Sequence, residues 1–79
     1  MSSMKRAYVL INTNPGTDTV LRSELEKVEG IVRIYLVYGV FDMVVVVEAE
    51  SEEELKHIVF ARIRSLKYLT STLTLNVAF

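Results

Sequence analysis

A five-residue segment near the middle of the chain, Tyr38 to Asp42, combines residue types that can bind a small charged molecule. A turn built on glycine presents backbone N–H groups to a carboxylate, and an ionised aspartate beside it can hold an ammonium group. Gly39, Val40, Phe41 and Asp42 are therefore candidate contacts for an α-amino acid. The same residues also fit a structural role, in which Gly39 supplies a positive φ for the turn and Asp42 bonds a nearby amide.

Hydroxyl groups recur towards the end of the chain, where Ser71, Thr72 or Thr74 could complete the polar surroundings of such a ligand. Threonine is also common in β-strands for purely structural reasons, because its branched side chain packs well on a pleated surface. Both interpretations of this hydroxyl row remain open.

Catalytic and metal chemistry have little support in the sequence. The single histidine, His57, lies opposite Leu55 and Val59 on a helical wheel, so it is expected to face water. The acidic run from Glu48 to Glu54 suits a helix start and solubility better than a cation site. Because no phosphate-binding, Cys-x-x-Cys or Ser/His/Asp motif occurs, we expect no catalytic residue, no metal and no cofactor.

Length, composition and charge limit the classes of protein to which this chain can belong. A chain of 79 residues allows one domain, residues 1–79, and without cysteine it gains stability most readily by self-association. Its net charge of -1 argues against direct binding of nucleic acid. The longest apolar run, from Met43 to Val47, is too short to cross a membrane, and the N-terminus lacks a secretory signal. We therefore expect a cytoplasmic protein.

Hydrophobic periodicity predicts six elements in the order β-α-β-β-α-β, with Ser51 and Glu54 forming a capping box at the start of the second helix. This order is that of the ferredoxin-like α+β fold, with an antiparallel four-stranded sheet in the order 4-1-3-2. The predicted elements are a strand over 5–13, a helix over 17–28, strands over 31–38 and 43–47 joined by residues 39–42, a helix from 51 to about 65, and a strand over 70–79.

Such a fold places both helices on one face of the sheet and leaves the other face uncovered. The first three strands carry apolar residues on both faces, as Val9 and Ile11 against Tyr8 and Leu10 illustrate. Exposing them all would cost more than pairing with a second sheet, so the sequence predicts a dimer packed sheet to sheet. Phe60 is either a scattered surface residue or a contact for assembly beyond the dimer.

Three stretches together resemble the ligand-binding (RAM) domain of the Lrp/AsnC, or feast/famine, transcription regulators: residues 7–11 leading to Pro15 and Gly16, residues 38–42, and residues 71–75. The resemblance implies a ferredoxin-like sandwich that dimerises through its sheets in a dimeric α/β barrel-like pairing. It further implies rings of four or five dimers, an octamer or decamer, with amino-acid effectors bound between dimers. The carried-over effector site is Gly39, Val40, Phe41 and Asp42 with Ser71, Thr72 and Thr74.

Full-length members of that family have an N-terminal helix-turn-helix, whereas only Met1 to Arg6 precede the apolar run of the first predicted strand, residues 7–11, here. The sequence therefore resembles a stand-alone form, which implies an amino-acid sensor that influences transcription by co-assembling with full-length regulators and does not bind DNA itself. Two alternatives remain: a purely structural oligomerisation module, and an enzyme of the dimeric α+β barrel type. The enzyme would need an acid or base inside the barrel, and His57 is expected to face outward.

Overall fold

The computed structural model describes residues 4–78, which form a sheet and two helical segments in the predicted order. Phe79, which the sequence places in the last strand, lies outside the described residues. The elements are β1 (Lys5–Thr13), α1 (Asp18–Glu26), β2 (Ile31–Leu36), β3 (Met43–Ala49), α2 (Glu52–His57) continued by a π-helical segment (Ile58–Ile63), and β4 (Leu69–Asn76).

The four strands form one antiparallel sheet in the order β2-β3-β1-β4. This confirms the predicted ferredoxin-like order, read from the opposite edge. β1 lies between β3 and β4, so that Val9 pairs with Val45 on one side and with Thr74 on the other. β2 and β4 are the two edge strands.

The core lies between the sheet and the helices. Ala7, Val9 and Ile11 alternate along β1 with half-buried residues and are fully buried, as alternation in a strand covered on one face requires. The residues that pack against them include Leu21 and Leu25 of α1, Met43, Val45 and Val47 of β3, and Leu55, Ile58, Val59 and Ile63 of the second helical segment.

No helix of the described part of the chain covers the opposite face of the sheet, which is largely apolar, as the sequence predicts. We call it the open face, and its central residues are Tyr8, Leu10, Tyr35, Val44, Val46, Leu73 and Leu75. Tyr35 and Leu75 are each 50% exposed. A contiguous exposed apolar surface is typical of an interaction site.

Polar pairs lie at the two ends of the open face. At one end, Arg6 Nε donates a hydrogen bond of 2.8 Å to Glu48, and this hydrogen bond is the main cause that raises the pKa of Arg6. At the other end, Asn12 Nδ2 donates to Ser71 Oγ over 3.1 Å. A polar rim around an apolar centre is typical of protein interfaces.

The second helical segment differs from the continuous α-helix that the sequence predicts. It begins as expected, with Ser51 Oγ accepting a hydrogen bond from the Glu54 amide at 3.1 Å. From Ile58 to Ile63 it widens into a π-helix, in which the Arg64 amide donates to the Val59 carbonyl five residues earlier. No helix within residues 4–78 is long and apolar enough to cross a membrane.

Candidate functional site

The connection between β2 and β3 is anchored to the end of β1 by Asp42. The Asp42 amide donates to the Ile11 carbonyl, and the Asp42 carboxylate accepts from the Thr13 amide, each over 3.0 Å. The Val37 amide donates to the Asp42 carbonyl, also over 3.0 Å, and so closes the loop. β2 ends at Leu36, so the connection spans residues 37–42 and is longer than the predicted 39–42.

The backbone of this connection presents unused hydrogen-bond donors. Within residues 4–78, the amides from Tyr38 to Phe41 donate to no protein acceptor. Gly39 has a φ of 123°, a backbone conformation that residues with a side chain rarely adopt. A Cβ added there would meet no atom of the described residues within 4 Å, so glycine is needed for its φ and not for lack of space. The loop therefore offers N–H groups of the kind that hold a carboxylate.

A cleft of ≈ 500 Å³ lies between this connection and the turn that leads into α1. Asp42 and Asp18 contribute carboxylates to it, and no lysine or arginine among residues 4–78 lines it. The excess of negative charge favours a cationic group such as an ammonium. Its lining residues are Thr13, Pro15, Gly16, Asp18, Leu36, Val37, Tyr38 and Asp42.

The hydroxyl residues do not share this cleft within one chain. Ser71 pairs with Asn12 on the open face, whereas Thr72 and Thr74 pair with Ile11 and Val9 and therefore lie on the helix side of the sheet. Gly39, Val40 and Phe41 belong to the connection beside the cleft but do not line it. The seven predicted contacts thus fall into three places: the connection, the open face and the helix side of β4.

Thr72 and Thr74 line a second depression, of ≈ 320 Å³, between β4 and the second helical segment. We call it the edge groove. Phe60 and Arg64 form part of its wall, with the Arg64 guanidinium 4.4 Å from the Phe60 ring centroid. Thr74 Oγ1 is buried and has no hydrogen-bond partner within the described residues, which leaves a polar group unsatisfied.

Sequence reasoning missed two contributors to these clefts. Asp18 is not among the residues predicted for the site, although its position two residues after the Pro15-Gly16 turn brings it to the cleft. Arg64 follows Phe60 by four residues, a spacing that places two helical side chains together and was the available signal. His57 is exposed as expected, and no three His, Cys, Asp or Glu side chains within residues 4–78 are grouped to hold a metal.

An antiparallel sheet in this strand order, covered by helices on one face, defines a ferredoxin-like α+β domain, and in this chain a cleft lies between the β2–β3 connection and the turn that leads into α1. The family model of the Lrp/AsnC ligand binding domain matches residues 6–78. The chain therefore belongs to this family.

Solved structures agree with this assignment. The chain resembles FFRP-DM1 at 25% identity and a TM-score of 0.88, covering 92% of this chain and 97% of that one. It resembles a Thermus thermophilus protein at 28% identity and a TM-score of 0.88, covering 95% and 94% of the two chains. No curated protein matches the chain.

Longer regulators share the fold over part of their length. AsnC from E. coli is 21% identical with a TM-score of 0.86, over 95% of this chain and 51% of that one. A feast or famine regulatory protein from M. tuberculosis, complexed with L-methionine, is 24% identical with a TM-score of 0.78, over 95% of this chain and 50% of that one. The chain thus spans about half the length of these regulators.

Proposed function

We propose that residues 1–79 act as a single amino-acid-binding and oligomerisation module that modulates Lrp/AsnC-type transcription regulation. The observation that carries the proposal is the cleft at the β2–β3 connection, which Asp42, Asp18 and Tyr38 line and beside which the amides of residues 38–41 have no acceptor within residues 4–78. An α-amino acid carries the two complementary charges, an ammonium for the carboxylates and a carboxylate for the amides. The M. tuberculosis relative in complex with L-methionine supports the same ligand class.

In this proposal the effector contacts are Gly39, Val40, Phe41 and Asp42, with Ser71, Thr72 and Thr74 joining them from a neighbouring subunit. One chain alone separates these two sets, since the hydroxyl residues line no part of the Asp42 cleft. A site formed between subunits removes that difficulty. It also makes binding and assembly depend on each other, because a ligand favours whichever assembly binds it more tightly.

The assembly we propose is a homodimer formed through the open face, with dimers joining into an octamer or decamer. The half-exposed Tyr35 and Leu75 and the polar rim at both ends of this face support the sheet-to-sheet contact. Such a module would act in the cytoplasm, alongside full-length regulators with which it assembles, and would bind neither nucleic acid nor membrane directly. We propose no enzymatic activity, cofactor or metal for it.

A second function, a purely structural oligomerisation module, is favoured by one specific observation. One Asp42 carboxylate oxygen already accepts from the Thr13 amide, so the aspartate has a structural role even without a ligand. The two functions differ in whether an amino acid changes the protein.

Sedimentation velocity of the purified chain, alone and with each amino acid at millimolar concentration, separates them. The proposed function predicts that at least one amino acid changes the distribution between dimers and larger assemblies. A distribution that no amino acid changes, together with no binding in equilibrium dialysis, would favour the structural module.

A further inference from the structure

The cleft at the β2–β3 connection contains one more carboxylate than an ordinary α-amino acid neutralises. Asp42 and Asp18 both line it, and neither forms an ion pair within residues 4–78. A ligand with a single ammonium group pairs with one of the two. The other carboxylate is then shielded from water by the ligand and left without a counter-ion, which is unfavourable. A ligand with a second cationic group removes this cost.

Asp18 is positioned by a turn that is anchored to the rest of the fold. The Asn14 amide donates to the Tyr68 carbonyl over 3.0 Å, and the Thr17 hydroxyl donates to the Asn14 carbonyl over 2.6 Å. Asp18 follows as the first residue of α1. Its negative charge suits the start of a helix in any case, so its place there alone does not indicate a ligand.

The carboxylate of Asp18 is available to a ligand. Within residues 4–78 it accepts no hydrogen bond, whereas one oxygen of Asp42 already accepts from the Thr13 amide. Asp18 is also exposed, so a small molecule in the cleft can reach it. The second carboxylate of the cleft is thus the one with no contact of its own.

Apolar side chains in the same cleft provide surface for the stem of a longer ligand. Pro15, Leu36 and Val37 line the cleft, and Leu36 is 56% exposed. The methylene stem of a lysine or arginine packs on apolar surface while its charged end reaches a polar group. The cleft volume of ≈ 500 Å³ is within the range of about 300–1,000 Å³ that is usual for small-molecule sites.

We propose that the effector of this chain is an amino acid with a cationic side chain, such as lysine, ornithine or arginine. Its α-ammonium pairs with Asp42, its α-carboxylate accepts from the amides of residues 38–41, and its side-chain cation pairs with Asp18. The stem lies against Pro15 and Leu36. The inference rests on the proposed function, to which it adds the class of amino acid and the residue that selects it.

Lysine and norleucine form a matched pair of ligands, because they share an unbranched stem and differ in the terminal ammonium group. In calorimetric titrations of the purified chain, lysine should bind at least about fivefold more tightly than norleucine, the difference that a partly exposed ion pair supplies. Added salt should reduce this preference, since it screens charges near the surface. Glutamate should bind less tightly than norleucine, because both carboxylates repel its side chain.

Three variants assign the preference to a residue. Asp18→Asn should lower the affinity for lysine to that for norleucine and leave the norleucine affinity unchanged, whereas Asp18→Glu should retain the preference. Glu53→Gln is the matched control, because Glu53 is an exposed acid in the first turn of α2 that does not line this cleft. It should leave both affinities unchanged. An Asp18 that served only the helix would alter the two affinities equally.

Failure of this inference is distinguishable from failure of the proposed function. A parent protein that binds no amino acid contradicts both. A parent that binds norleucine or methionine as tightly as lysine contradicts the inference alone, and so does a preference for lysine that Asp18→Asn leaves unchanged.

Discussion

Asp42 has two consequences at the scale of a single residue. Its carboxylate accepts the Thr13 amide and its own amide donates to the Ile11 carbonyl, so it fixes the connection to the end of β1. The same carboxylate lines the cleft beside Asp18. An anion held in place by its own structural bond is suited to bind an ammonium, because little conformational freedom is lost when the ligand arrives.

Two substitutions separate these roles. Asp42→Asn retains an oxygen that can accept from the Thr13 amide but removes the charge, whereas Asp42→Ala removes both. We expect Asn to leave the free energy of unfolding nearly unchanged and Ala to lower it by about 1 kcal/mol. Both should weaken amino-acid binding by roughly 10- to 100-fold, since a hydrogen bond to a charged group contributes about 1.5–3 kcal/mol.

Calorimetric titration and denaturant unfolding of the two variants provide the measurements. Equal affinity in the parent and Asp42→Asn would remove the ammonium contact from the account and leave Asp42 a structural role alone.

At the scale of elements, the sequence predicted the strands and helices because hydrophobic periodicity and turn residues carried the information. Val9 and Ile11 alternate as a strand requires, and Ser51 with Glu54 marks a helix start that the structure confirms. The π-helical widening from Ile58 to Ile63 was not predictable. A π-helical segment differs from an α-helix in which backbone groups bond to each other. One side of the helix stays apolar in both cases, so the spacing of apolar residues in the sequence does not distinguish them.

The cap at Ser51 provides a test at this scale. Ser51→Ala removes the hydrogen bond to the Glu54 amide, and we expect the free energy of unfolding to fall by about 1 kcal/mol. Ser23→Ala is the matched control, because Ser23 is exposed within α1 and its side chain makes no hydrogen bond within residues 4–78. Urea unfolding of both variants checks the difference, and equal losses would show that the cap contributes nothing specific.

The candidate site was predictable only in part. Gly39 and Asp42 could be placed in the connection between β2 and β3 because a turn between two strands has a known position and known residue preferences. The sequence could not predict that Thr72 and Thr74 lie on the helix side of the sheet. Alternation of side chains along a strand assigns them to two faces but does not say which face the helices cover. In β4 the apolar Leu73 and Leu75 face the open surface, opposite to the usual rule for a strand covered on one side.

At the scale of the whole molecule, the open face explains why so short a chain carries so many apolar residues. Half of the 79 residues are hydrophobic (51%), more than one layer of helices can cover. Leu75 lies opposite Tyr8 on this face and is half exposed. A second copy packed on the same face would bury both and leave the polar pairs at its ends in water.

Charge placed on this face should separate the dimer. Leu75→Glu is expected to give monomers in sedimentation equilibrium, because an unpaired carboxylate buried between two sheets is unfavourable. Val20→Glu makes the same change on the outer side of α1, where Val20 is 44% exposed, and should leave the mass unaltered. Dimers of Leu75→Glu as stable as the parent's would contradict the sheet-to-sheet contact.

The central claim, that this chain binds an amino acid through the β2–β3 connection, is tested most directly by thermal unfolding of the parent and of Asp42→Asn against each of the twenty amino acids. A ligand present at 100 times its dissociation constant adds about 2.7 kcal/mol to stability. We predict that one or a few amino acids raise the unfolding temperature of the parent by several degrees and that of Asp42→Asn much less. No shift of the parent with any amino acid, or equal shifts in both proteins, would contradict the claim.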